Sequence, residues 1–98
     1  MLQKKYNKQR LFDLGRVDAT RGAVRALEDA QHTVFDFLFR HLTGDWGEVD
    51  EEDAAANDRC VKKGCRLLSS YKTKKGVKLW VITEWDRSAT TLLLPEEY

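Results

Sequence analysis

The sequence predicts an α+β fold, with about three N-terminal helices packed on a three-stranded antiparallel β-meander. Apolar residues recur at helical spacing behind capping residues at Thr20, Thr33 and Asp50. From Cys65 the period shortens to two, so that Leu67, Ser69 and Tyr71 alternate with Arg66, Leu68 and Ser70. The strand-like runs after that point are joined by stretches short enough for hairpin loops. Helices first and consecutive strands second put the helices on one face of the sheet.

The chain has 98 residues, about what one hydrophobic core organises. Hydrophobic residues at 42% and charged ones at 34% describe a globular chain rather than a disordered one. No run approaches the roughly 18 apolar residues of a membrane span. Residues 1–10 carry four bases and few apolar groups, so they read as a basic flexible arm ahead of a single α+β domain over residues 11–98. No apolar segment follows the arm, so no signal peptide is expected and the expected location is cytoplasmic.

In chain order, a short strand is expected around Arg16, Val17 and Asp18. Ala23, Val24, Leu27 and Ala30 then fall at helical spacing behind Thr20, and this helix should end near Gln31. Thr33 with Asp36 forms a partial capping box for a second helix. Its Phe35, Phe37 and Phe39 alternate like a strand, but Val34, Phe37, Leu38, His41 and Leu42 follow the helical pattern, and Gly44 supplies a stop. Three phenylalanines should make it the most deeply buried helix. Asp50 and Asp53 open a third helix that runs to Lys63, with Gly64 just past its end. Asn57, on that helix's apolar face, reads as a hydrogen-bonded structural amide.

The strand from Cys65 turns back through Thr73-Lys-Lys-Gly76 into Val77 to Thr83. A hairpin loop, Glu84-Trp85-Asp86-Arg87-Ser88, leads to the last strand at Ala89 to Leu94, which Pro95 closes. The periods point Leu38 and Ile82 inward, so both are expected in one core.

Net charge is only +1, yet it is segregated. Seven acids and no base lie between Asp45 and Asp58, and eight bases and no acid between Arg59 and Lys78. The acidic block suits a partner protein with a basic surface, and the basic segment 59–78 suits nucleic acid. Cys60 and Cys65 lack the Cys-x-x-Cys spacing and read as reduced packing residues. Zinc would require them to recruit His32 and His41 at a spacing that matches no ligand pattern, so neither a metal nor a cofactor is expected.

Three sets of side chains are candidates for function. Glu84, Asp86 and Arg87 share a loop on a rigid hairpin, where a carboxylate beside a guanidinium suits acid–base work or a phosphate clamp. His41 lies in the last turn of the second helix. It either caps that helix as a cation or, if it approaches Glu84 and Arg87, completes a trio suited to RNA cleavage. Trp46, Trp80 and Trp85 form the third set, with Trp85 the one expected at the surface and Trp80 suited to stacking beside Lys78.

The runs HLTGDWGEVDEEDAAAND, RLLSSY and KLWVITEWDRSATTLLLPEEY, with Leu14-Gly15 and Asp18 to Ala23, resemble a family of small uncharacterised bacterial proteins called plasmid-related, sometimes labelled as a restriction-modification subunit. The resemblance covers about residues 14 to 98 and departs at Cys65, at Trp85 and in the basic arm. It implies association with mobile genetic elements and transfers no catalytic residue. A methyltransferase role finds no Gly-rich cofactor loop after a strand. The leading expectation is therefore an interaction module that modulates a host or element-encoded nucleic-acid or defence system, binding through Asp45, Trp46, Glu51, Glu52, Trp85, Asp86 and Arg87. The alternative is a small metal-independent ribonuclease of the toxin type that uses His41, Glu84 and Arg87.

Overall fold

Each helix begins where a side chain can accept from N–H groups that have no partner within the helix. Thr20 opens α1 (Arg21–Asp29) by accepting from the Ala23 amide at 3.2 Å. Asp36 closes the capping box of α2 (Val34–Leu42) by accepting from the Thr33 amide at 3.2 Å. Asp50 starts α3 (Glu51–Lys63) by accepting from the Asp53 amide at 2.8 Å, and Gly64, at φ 83°, ends it in the left-handed conformation that glycine adopts without strain. The computed structural model describes residues 9–98.

The strands are β1 (Arg16–Ala19), β2 (Leu67–Lys72), β3 (Lys78–Thr83) and β4 (Ala89–Leu93), and a short 3-10 turn (Pro95–Glu97) follows them. β2, β3 and β4 form the expected antiparallel meander. The sheet nevertheless has four strands in the order β1-β4-β3-β2, because β1 pairs parallel to β4 from Arg16 opposite Ala89 to Ala19 opposite Leu92. The expected three-stranded antiparallel sheet is thus a mixed one. The helices lie between β1 and β2 in the chain, not ahead of every strand. A four-residue strand whose partner lies some seventy positions away leaves no local trace of that pairing in the sequence.

Strand alternation sorts the sheet into two faces. Leu67, Ser69, Tyr71, Leu79, Val81, Thr83, Thr90 and Leu92 point to the helices. There Tyr71, Leu79, Val81 and Leu92 pack with Ala23 and Leu27 of α1 and Phe37 and Leu38 of α2. Phe12, Trp46 and Leu67 make a second cluster, against which Val49 and the α3 residues Ala54 and Val61 pack. Only residues 9 and 10 of the expected basic arm fall within the described chain, and both are exposed.

Three expectations need correction. Of the α2 phenylalanines only Phe37 is buried, while Phe35 and Phe39 are 73% and 56% exposed. A helix turns about 100° per residue, so positions two before and two after Phe37 lie nearly opposite it. Leu38 and Ile82 are both buried but not in one core, since Ile82 points to the sheet face away from α2. Cys60 and Cys65 are not free packing thiols. Gly64 folds the chain back after the last turn of α3, bringing their Cα atoms to 4.8 Å, and they form a disulfide.

Candidate functional site

His41 sits where α2 meets the sheet, with none of its surface exposed. Its Nδ1 lies 2.6 Å from Ser69 Oγ and its Nε2 2.9 Å from Thr83 Oγ1. Thr83 Oγ1 lies in turn 2.7 Å from Thr90 Oγ1, and the Thr90 hydroxyl donates to the Leu14 carbonyl at 2.7 Å. Each hydroxyl has one proton to give, which fixes the direction of the whole chain. Thr90 spends its proton on Leu14 and so accepts from Thr83. Thr83 therefore accepts from His41 Nε2–H, and Nδ1 accepts from Ser69. Burial first, and the nearby Arg87 charge second, push the imidazole pKa down from 6.5 to about 3. His41 is a neutral imidazole with both nitrogens committed, packed edge-on against Phe12 and Trp46.

Arg87 is committed in the same way. Its guanidinium donates to the Cys65 carbonyl at 2.6 Å, the Cys60 carbonyl at 2.7 Å and the Glu84 carbonyl at 3.1 Å, and it lies over the Phe12 ring. Two of those carbonyls belong to the disulfide-linked end of α3, where a cation also suits the helix dipole. The backbone of Arg87 is left-handed, at φ 61°, a conformation costly to a side chain with a Cβ and held here by the carbonyl contacts. Burial lowers the Arg87 pKa, a change that leaves a guanidinium fully charged. Glu84 is half-buried, and its backbone closes the loop by donating to Ala89. Asp86 is exposed, its carboxyl held low by the Ser88 hydroxyl and amide. Trp85 is 66% exposed. The geometry thus brings His41 near Arg87 in a dry, hydrogen-bonded region, and leaves the imidazole no open nitrogen for a substrate proton.

Asp45 and Trp46 also hold structure. The Asp45 carboxylate takes Arg40 Nε at 2.7 Å, raising the Arg40 pKa, and the Arg40 guanidinium lies 4.5 Å over the Tyr71 ring. Trp46 is 5% exposed and donates from Nε1 to Asp58 at 2.9 Å. Residues 46–48 run along the outer edge of β2: Trp46 accepts from the Ser70 amide, and the Glu48 amide donates to the Ser70 carbonyl. Gly47 makes this approach possible, since a Cβ there would collide with the Ser70 carbonyl and the Tyr71 ring. Further along that edge the Asn57 amide donates to the Leu68 carbonyl at 2.9 Å and accepts from the Leu68 amide at 3.4 Å, standing in for a neighbouring strand.

Away from these struts, Glu51 and Glu52 are exposed in the first turn of α3 beside exposed Glu48, Asp50 and Asp53. None of the five forms a salt bridge among the described residues. The described residues contain no group of three or more His, Cys, Asp or Glu placed to hold a metal ion. No helix among them is long and apolar enough to cross a membrane. The residue that sequence reasoning missed is Ser69. Its signal was a polar side chain at an inward-facing strand position, as at Thr83 and Thr90. Comparisons with protein-family models, curated proteins and solved structures return no match to this chain.

Proposed function

We propose that this protein is a macromolecular interaction module that works by docking, with the acidic start of α3 as its contact for a basic protein surface. The observation that carries this reading is the exposed, unbridged run Glu48, Asp50, Glu51, Glu52 and Asp53. Asp50 caps the helix by accepting from the Asp53 amide, whereas the side chains of Glu51, Glu52 and Asp53 form no hydrogen bond or salt bridge among the described residues, so their charge faces solvent. Such a field speeds association with a basic partner and fades as salt shortens the Debye length from about 10 Å at 0.1 M to about 3 Å at 1 M. The resemblance to plasmid-related bacterial proteins supports a role on a mobile element, modulating a host or element-encoded nucleic-acid or defence system; a cytoplasmic location requires the Cys60–Cys65 disulfide to persist in a reducing compartment. The ribonuclease alternative needs an imidazole that a substrate can reach, and that of His41 is enclosed.

The test compares partner capture from bacterial lysate by the wild type and by the Glu51→Lys, Glu52→Lys double variant. Reversing two charges at the positive end of a helix costs roughly 1 to 4 kcal/mol in all, less than the stability of an ordinary domain. Basic proteins retained by the wild type, released by salt and absent from the variant are the expected result. The same proteins on both would remove the acidic surface from the account.

A further inference from the structure

The second surface to consider is the sheet face turned away from α1 and α2. Every charged residue within the four strands lies on it: Arg16, Asp18, Lys72 and Lys78. Asp18, the one carboxylate among them, is bridged to Arg16 at 2.8 Å. Lys72 and Lys78 stand directly opposite each other across β2 and β3, an arrangement of like charges that costs stability. Exposed Lys74 and Lys75 in the connecting turn add to the same end. None of these four lysines forms a salt bridge among the described residues.

Next to the lysine pair comes an aromatic pair. Trp80, partly exposed, packs edge-on against Tyr98 with ring centroids 5.8 Å apart. Tyr98 is 67% exposed, and its hydroxyl accepts from Arg66 Nη1 at 2.6 Å. Reading along β2, the face therefore presents Arg66, then Trp80 with Tyr98, then Lys72 and Lys78. Cations flank an aromatic platform.

We infer that this outer sheet face is a binding site for single-stranded nucleic acid, with phosphates on Lys72, Lys78 and Arg66 and a base stacked on the Trp80–Tyr98 platform. Charge complementarity selects the occupant: an unbalanced lysine pair calls for a polyanion, and the partly exposed Trp80 of β3 with Tyr98 packed on it suits a flat base in a flexible chain. A duplex would bury its bases away from Trp80. An acidic peptide would use the lysines and gain nothing from the indole. Arg66 shares a cleft with Asp53 of α3, whereas Lys72 and Lys78 stand at the other end of β2, so the lysine end of the site does not depend on the docking proposed at the acidic turn.

The test is fluorescence anisotropy with labelled single strands of about 12 thymidines and of about 12 uridines, at low salt and through a salt titration. Binding that weakens with salt is expected for the wild type. It should fall about tenfold or more in Lys72→Ala, Lys78→Ala and again in Trp80→Ala, while Arg21→Ala, Arg25→Ala, which removes two exposed cations from α1, binds as the wild type does. A stronger response to one of the two strands would identify DNA or RNA as the natural ligand. Removing a like-charge pair does not unfold a sheet, so the lysine variant decides the matter even if Trp80→Ala melts early. The inference is overturned by the absence of wild-type binding at low salt, by binding indifferent to the lysine pair, or by polyglutamate competing as well as the oligonucleotides while Trp80→Ala leaves binding unchanged.

Discussion

His41 and Arg87 carry side chains that spacing alone assigns to chemistry, and the fold uses both. The reason is visible in where their partners come from. Ser69 and Thr83 lie 28 and 42 positions from His41, and Cys65 and Cys60 lie 22 and 27 from Arg87. No local pattern announces such contacts, although a serine and two threonines at inward strand positions did mark a buried polar group in need of a partner. Arg87 provides a direct check, because Arg87→Lys keeps the charge and loses the planar fork that spans separate carbonyls. We expect it to cost roughly 1 to 3 kcal/mol in urea unfolding, as buried carbonyls lose charged donors. An unchanged midpoint would mean that the carbonyl contacts contribute nothing.

Among the elements, what the sequence reveals depends on range. The caps at Thr20, Thr33 and Asp50 and the stop at Gly64 act within one turn, and each was legible from neighbouring residues. The edge of β2 was not, since Asn57 reaches it from eleven positions away. Asn57→Ala should leave the Leu68 amide and carbonyl without partners, at a cost of about 1 to 3 kcal/mol, and should speed hydrogen exchange at Leu68. Retained protection at that amide would show that the edge is closed without Asn57. On α2, the strand-like spacing of the phenylalanines hid the fact that a helix sends alternate residues to opposite sides. Phe37→Ala should cost about 3 to 5 kcal/mol, and Phe35→Ala or Phe39→Ala under about 0.5 kcal/mol. Thermal melts that rank the three alike would contradict the placement of α2.

For the whole molecule, the meander and the helix count followed from periodicity, while the parallel pairing of β1 with β4 rests on contacts that only the folded chain makes. That pairing draws the start of the domain into the sheet, and Phe12 anchors it by packing on Trp46 and His41. Deleting residues 1–10 should therefore leave the melting temperature nearly unchanged, whereas a truncation that removes Phe12 should lower it by an amount typical of losing a core aromatic. The central claim is that His41 is a structural imidazole, buried neutral between α2 and the sheet with both nitrogens hydrogen-bonded. Stability against pH tests it most directly. Folded His41 stays neutral down to about pH 3, while the unfolded chain takes up a proton below about 6.5, so its contribution is complete above 6.5 and is lost progressively as pH falls toward 3. Measured by urea unfolding between pH 7 and pH 4, wild-type stability should fall more steeply than that of His41→Gln by about 1.4 kcal/mol per pH unit below 6.5. Parallel curves would mean that His41 titrates as a solvent-reached imidazole, and would contradict the account.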